Sequence, residues 1–269
     1  MWTRSLLKNN AKEMLKKHYW EVFLVCFILS IISSGISSVS SGMGSAGFNF
    51  NIDLSAPNSP FNNDMLPSEA VLGFLTVFII ALAVAGILFV ISIAFNIFVA
   101  FPFSVGVNKY ILNSYRDKNE FNDMIFCFKA NRYIPTVKAM ALRFLYEFLW
   151  SLLFIIPGIV KGYAYSMVPY ILADNPQIGA KRAIELSQQM TKGEKGEIFI
   201  LDLSFIGWYL LGTIVCCGLG TVFVVPYAMS TKAYLYMILR DKAIINGYCT
   251  YEELGFSAPT VDETTQENI

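Results

Sequence analysis

The chain has 269 residues, 55% of them hydrophobic and only 15% charged, and its 20 basic side chains balance its 20 acidic ones. A soluble domain carries about 25% charged residues, and the deficit here is local: between His18 and Lys109 there is no Lys or Arg. Balanced charge with cations confined to loops excludes a nucleic-acid-binding surface, and a single histidine with five cysteines, none in CxxC spacing, provides neither a zinc pattern nor a disulfide framework.

Thr3 is placed to cap a helix over 3–18. Leu7, Ala11, Met14 and Leu15 share one face of it, and Arg4, Lys8, Lys12, Lys16 and Lys17 fill much of the rest. Beside an apolar run, this pattern fits a helix lying in the membrane interface with its cations on anionic lipid headgroups; it equally describes an ordinary solvated helix. A first span is expected over 20–40, with Tyr19 and Trp20 as interfacial aromatics and Glu21 at the cytoplasmic edge. The apolar run 22–32 is read as a retained anchor rather than a cleaved leader, because a long basic segment precedes it.

Residues 41–69, rich in Ser, Gly, Asn and Pro and charged only at Asp53, Asp64 and Glu69, are expected to be an outer loop. Residues 70–108 form an apolar run well beyond the ~20 residues that cross a hydrocarbon core of about 30 Å. One long helix, kinked near Pro102 and running into the cytoplasm, is expected there. Residues 109–143 hold Lys109, Arg116, Lys118, Lys129, Arg132, Lys138 and Arg143 against Asp117, Glu120 and Asp123, the strongest cytoplasmic marker in the chain. Phe121, Ile125, Phe126 and Phe128 suggest that part of this segment dips into the interface.

Residues 144–173 are apolar, and Lys181, Arg182, Lys192 and Lys195 follow. A hairpin with arms 144–156 and 159–173, turning at Ile156-Pro157-Gly158-Ile159, keeps those cations inside. Arms of about fifteen residues span only ~22 Å, so a bent or re-entrant hairpin is the alternative to two true spans. Residues 176–191 should form a cytoplasmic surface helix, capped by Asp174 or Asn175, with Pro176 in its first turn and a stripe of Gly179, Ala183, Leu186 and Met190. A final hairpin, 198–215 and 219–239, passes through Cys216, Cys217 and Gly218; the cysteines read as small apolar residues or as a redox pair. The tail 246–269 is acidic and expected to be mobile and cytoplasmic. The sum is an all-α polytopic transmembrane bundle of about six membrane segments. It forms one integral-membrane domain over 1–245, with both termini inside and two amphipathic helices on the inner surface.

Pro102, Tyr110, Arg116, Asp117 and Lys118 recur 124 positions later as Pro226, Tyr234, Arg240, Asp241 and Lys242. The echo describes either duplicated helices or the shared habit of inward-going spans to end in aromatic and then basic residues.

Ionisable groups within spans are the default functional candidates; here they are Glu147, Lys161, Asp202 and Lys232. Asp202 and Lys232 are placed to pair across the final hairpin, whereas Glu147 and Asp202 are also shallow enough to reach headgroups or to pair with Arg143 or Lys195. Lys161 is placed to snorkel beside the Pro-Gly turn. Gly207 and Gly212 read as helix-packing positions. His18 has no partner visible in the sequence, and no P-loop, GxGxxG or HExxH is present. No catalytic residue, cofactor or metal is expected.

Ile155-Ile156-Pro157-Gly158-Ile159, Pro169-Tyr170, Asp174-Asn175-Pro176 with Ala183 and Ser187, then Met190, Gly193 and Leu203-Ser204-Phe205-Ile206-Gly207-Trp208, together with Trp2-Thr3-Arg4 and Tyr19-Trp20, carry a resemblance. Over about 1–245 the chain resembles an uncharacterised bacterial integral-membrane family, the domain-of-unknown-function family 975. It is more weakly similar to membrane regions attached to some bacterial glycerophosphodiester phosphodiesterases. The resemblance implies a multispanning bacterial membrane protein, here placed in the cytoplasmic membrane, and no established activity, substrate or catalytic residue. Three function classes follow: a non-enzymatic scaffold or accessory component with membrane lipids and a membrane protein as partners, a transporter or channel for a small solute or lipid, and a membrane-embedded lipid-modifying enzyme.

Overall fold

The computed structural model describes residues 2–34, 68–118, 120–215 and 219–256. The expected outer loop up to 67, residues 35–40 of the first expected span, the Cys216-Cys217-Gly218 turn and the tail beyond 256 lie outside the described residues. Within them every regular element is helical, as the all-α reading requires. Three helices are long and apolar enough to cross a membrane: Leu75–Ser114, Lys195–Thr213 and Gly220–Ile245. The expectation of about six segments is not met within the described residues. Contacts divide the chain into two units, Ile31–Asn96 and a larger one comprising Met1–Ser30 and Ile97–Ile269.

In the smaller unit, helix α2 (Ser68–Phe95) has no cation along its length, and its apolar side chains from Leu75 onward are almost all exposed. Asn96 does not break the helix, because its amide donates to the Ser92 carbonyl at 2.9 Å.

The helical backbone continues through a π-helical segment, Asn96–Ala100, into α3 (Phe101–Ser114). The irregularity has a local cause. Pro102 lacks an N–H and its ring collides with the carbonyl four residues earlier, so the turn before it widens. The Phe98 carbonyl left over is taken by the Tyr133 hydroxyl at 2.8 Å. Near Pro102, where a kink is expected, the irregularity is this π-helical segment in the turn before it.

In the larger unit, α1 (Arg4–Ser34) begins at Thr3, whose hydroxyl accepts the Leu6 N–H at 3.3 Å. The expected interfacial helix and first span form one helix, bent at His18 (φ −120°, ψ 25°). Its apolar face is as expected, but it is covered: Leu7, Ala11, Met14 and Leu15 are at most 7% exposed, and Lys8 lies over the Phe205 ring at 4.8 Å. Protein, not lipid, buries that stripe.

After α3 come a 3-10 helix (Phe121–Phe128), α4 (Ala130–Leu153), α5 (Ile155–Ala164), α6 (Val168–Asp174), α7 (Ala180–Met190), α8 (Lys195–Val215) and α9 (Leu219–Ile245). The core lies where α3, α6, α7 and the C-terminal half of α9 meet: Tyr110, Ile111, Ile171, Leu172, Leu186, Leu235 and Tyr236 are fully buried. Each such side chain contributes about 1.5–3 kcal/mol relative to exposure.

Three expectations need correction. The arm 159–173 is no span: α5 ends at Ala164, a turn intervenes, and the seven-residue α6 is buried in the core, with Val168, Ile171, Leu172 and Ala173 at 0% exposure. The helix expected over 176–191 starts at Ala180, since Asn175 Oδ1 accepts the Gln177 N–H (2.9 Å) and Gly179 sits at φ 90°, a turn geometry that ends at the helix. Its stripe of Ala183, Leu186 and Met190 is buried in protein. The tail is folded as far as Phe256, with Cys249 and Leu254 buried. Of the apolar side chains expected at the interface, Phe126 is buried between the Lys109 and Arg132 cations, at 3.8 and 4.2 Å, while Phe121 and Ile125 are exposed.

A tight backbone approach lies at Gly106, where a Cβ would stand 2.0 Å from the Met124 carbonyl oxygen. Gly106→Ala must separate α3 from the 3-10 helix and should cost about 1–3 kcal/mol, read as a lowered melting temperature of the detergent-solubilised protein. Gly207→Ala, at a site with nothing within 4 Å, should leave the melting temperature unchanged.

Candidate functional site

The α8–α9 hairpin is tight. A Cβ on Gly212 would stand 2.7 Å from the Gly220 carbonyl carbon, and one on Gly220 would stand 2.6 Å from Gly212 Cα. Gly212 is therefore a packing position as expected; Gly207 is not, having open space around it. The close approach brings Lys232 onto Asp202, with Nζ 2.9 Å from Oδ1 and 3.0 Å from Oδ2. Tyr163 of α5 lies close by, its ring meeting Phe199 edge-on one turn before Asp202. Two charges within apolar helices thus neutralise one another in direct contact.

Glu147 and Lys161 lie on the neighbouring hairpin and pair there. Glu147 faces Arg143 one turn away at 3.8 Å, and Lys161 lies over the Trp150 ring at 4.9 Å. The four ionisable candidates therefore form separate local pairs. A cleft of about 340 Å³ lies elsewhere, between the ends of α7 and α9, lined by Gln189, Lys192, Gly193, Lys242, Asn246 and Tyr248 among others. None of the four candidates lines it, and Lys242 is held by Glu194.

The densest buried polar cluster was not anticipated. Asp174, read from sequence only as a helix cap, closes α6, and its side chain is 7% exposed. Its Oδ2 accepts the Tyr236 hydroxyl at 2.6 Å and faces Arg240 Nη1 at 3.6 Å. Burial pushes the Asp174 carboxyl up, while the Tyr236 hydrogen bond, Arg240, Arg116 and Lys109 pull it down. Arg240 is 10% exposed and donates from Nε and Nη2 to Asp241 at 3.1 and 3.0 Å. Lys109 caps the same region by donating to the Ala173 carbonyl at 3.2 Å.

The folded tail reaches this cluster. The Phe256 ring receives Arg116 and Arg240, each 4.9 Å from its centroid. Arg182 donates from Nε and Nη2 to the Glu253 carboxylate at 2.6 and 3.1 Å, and Asn175 Nδ2 donates to the Glu253 carbonyl at 3.0 Å. Arg116 and Arg240 are echo partners at offset 124, so the echo has a spatial counterpart here. The bonding is not duplicated: Asp117 pairs with His18 (3.0 Å) and Lys17 (3.4 Å), whereas Asp241 holds Arg240. His18, without an evident partner in sequence, also reaches Glu21 Oε2 at 3.2 Å, and Tyr110 donates to the same oxygen at 3.1 Å. The sequence signals that pointed to the cluster were Asp174-Asn175-Pro176 and the echo itself; what neither could supply was the ring at Phe256.

Residues 153–243 match the model of a family described as protein of unknown function (DUF975). The family recognised from sequence is thereby supported over α5 to α9, while the Trp2-Thr3-Arg4 stretch falls outside the match. No curated protein and no solved structure matches the chain. Nothing in these comparisons supports the weaker likeness to phosphodiesterase-linked membrane regions.

The Arg182 hydrogen bonds hold the Glu253 carboxyl below its usual 4.5. A carboxyl depressed in the folded state contributes stability that is present above its unfolded value and lost as pH falls through the folded one. Acidification below the ordinary glutamate range should therefore release the tail, read as faster amide exchange over 249–256. Glu253→Gln should do the same at neutral pH, while α7 stays protected.

Proposed function

We propose that this chain is an integral protein of the bacterial cytoplasmic membrane that works without catalysis, as a scaffold or accessory component for a membrane protein partner. The observation that carries this is the closure of its intramembrane charges. Asp202 and Lys232 satisfy one another, and Glu147 and Lys161 have partners on their own hairpin. A transport path needs polar groups facing a cavity, and a hydrolase needs a nucleophile, a base and a place for developing charge; these residues face each other.

The multi-pass topology has its own support. The segments expected in the cytoplasm touch one another: His18 meets Asp117, Arg240 meets Asp174, Lys242 meets Glu194, and Arg182 meets Glu253. Segments in contact share one side of a bilayer, and Lys- and Arg-rich segments belong on the cytoplasmic side. Both termini go with them. Arg4, Lys12, Lys16 and Lys17 remain exposed on α1, and with its apolar stripe covered by protein these cations are the part of α1 that meets anionic headgroups.

A transporter of a small solute or lipid is the second reading, favoured by the π-helical segment before Pro102 and the extended break at Phe154. Broken helices of this kind line substrate paths in transporters.

Affinity capture of the tagged full-length protein from native membranes, with protein and lipid identification, separates the two. A stoichiometric membrane protein partner is the expected result. Its absence, together with solute or lipid flux in reconstituted liposomes that Asp202→Asn abolishes, would replace the scaffold reading with transport.

A further inference from the structure

The α4–α5 hairpin projects an apolar tip that no described residue covers. Leu152, Leu153, Phe154, Ile155 and Ile156 are 75%, 62%, 66%, 77% and 77% exposed. Phe144, Leu145, Phe148 and Leu149 on one arm and Ile159 and Val160 on the other are also exposed, whereas the hairpin's base, from Ala164 onward, enters the core.

The geometry points to an occupant. The turn is a single extended residue, Phe154 (φ −156°, ψ 142°), whose N–H donates to Trp150 and whose carbonyl accepts Gly158. Pro157 removes a donor from the first turn of α5, where N–H groups lack helical partners. The arms are pressed together by Gly158, where a Cβ would stand 2.8 Å from Ser151 Cα, and by Gly162, whose Cβ would stand 3.0 Å from Glu147 Oε1. Polar side chains between the arms are satisfied internally: Ser151 donates to the Glu147 carbonyl at 2.8 Å, and Lys161 covers the Trp150 ring. Such internal satisfaction is what hydrocarbon demands of a broken backbone.

Charge placement sets the depth. Moving out from Phe154, the first charged residue on one arm is Glu147 and on the other Lys161, each seven positions away, or about 10 Å of helix. One leaflet contributes roughly 15 Å of hydrocarbon. A second ruler agrees. Tyr163 at the hairpin's base lies against Phe199 near the start of α8, so the tip stands about 13 Å further along, short of the far end of the span Lys195–Thr213. The ten-residue α5, about 15 Å long, cannot cross.

We propose that the α4–α5 hairpin is a one-leaflet wedge: it enters the acyl chains of the cytoplasmic leaflet, turns at Phe154 near the bilayer midplane, and returns to the same side. This rests on the membrane reading above and adds a lipid-binding surface to it. A wedge in one leaflet displaces lipid there and not in the other, so the hairpin also gives the protein a means of acting on the leaflet around a partner.

The test is spin-label depth measurement on the full-length protein, its native cysteines replaced, in nanodiscs of phosphatidylethanolamine and phosphatidylglycerol. Labels go at Leu149→Cys, Phe154→Cys and Val160→Cys, with Leu210→Cys in α8 marking the bilayer independently. The expected profile is oxygen-accessible and protected from a nickel chelate at all three hairpin sites. It should be deepest at 154 and about 8 Å shallower at 149 and 160. Depth that runs steadily from one face to the other through 149, 154 and 160 would make the hairpin a crossing and overturn the proposal. Nickel access at 154 would put the tip in water, and exclusion of both relaxants would put a protein over it; either outcome overturns it too. If Leu210→Cys reads as bilayer-embedded in those cases, the wedge fails alone; if it reads as aqueous, the membrane reading fails with it.

Discussion

A guanidinium cannot be withdrawn from water without an anion to meet it. Arg240 is nearly buried, and it meets Asp174 and Asp241 while stacking on Phe256. That requirement ties the end of α9 to the end of α6 and to the folded tail. Tyr236, fully buried, adds a hydroxyl to the Asp174 carboxylate from one turn earlier on α9. Once this junction is made, Lys109 falls on the Ala173 carbonyl and Arg116 on the same Phe256 ring. Segments far apart in sequence become one solvated body because their charges have nowhere else to be neutralised.

The larger unit then divides physically along its own helices. In the C-terminal half of α9, in α6 and in α7, apolar side chains are covered by protein. On one face of α8 (Phe199, Leu203, Ile206, Leu210) and on the α4–α5 hairpin at Phe144, Phe148 and 152–156, side chains of the same chemistry are bare. A soluble protein does not leave such an area exposed. Hydrocarbon covers it without any protein partner, and the scarcity of charge in these stretches is what that solvent requires. Asp202 and Lys232 are tolerated there because each is the other's counter-ion.

What was legible in the sequence was what depends on local pattern. The capping by Thr3, the face of α1 made by Leu7, Ala11, Met14 and Leu15, the disturbance at Pro102 and the pairing of Asp202 with Lys232 all follow from spacing along one helix or one hairpin. What was illegible was the identity of the solvent for an apolar face. Leu7 and Leu186 have the periodicity of interfacial residues, yet protein covers them, because lipid and core accept the same side chains. For the same reason 159–173 resembled a span while Val168 and Ile171 belong to the core. The Asp174–Arg240 junction was hidden by distance along the chain, and the order in the tail by its dependence on one phenylalanine and one glutamate in an otherwise acidic segment.

The account stands on three basic segments and the acidic tail sharing one side of the bilayer. Single cysteines at Lys12→Cys, Lys118→Cys, Lys181→Cys and Glu252→Cys, in a background without native cysteines, can be probed with a membrane-impermeant maleimide in right-side-out and inverted vesicles. The account predicts that all four react only in inverted vesicles. Reaction of any one of them from the outer face would separate segments that the Arg240 junction holds together, and would contradict it.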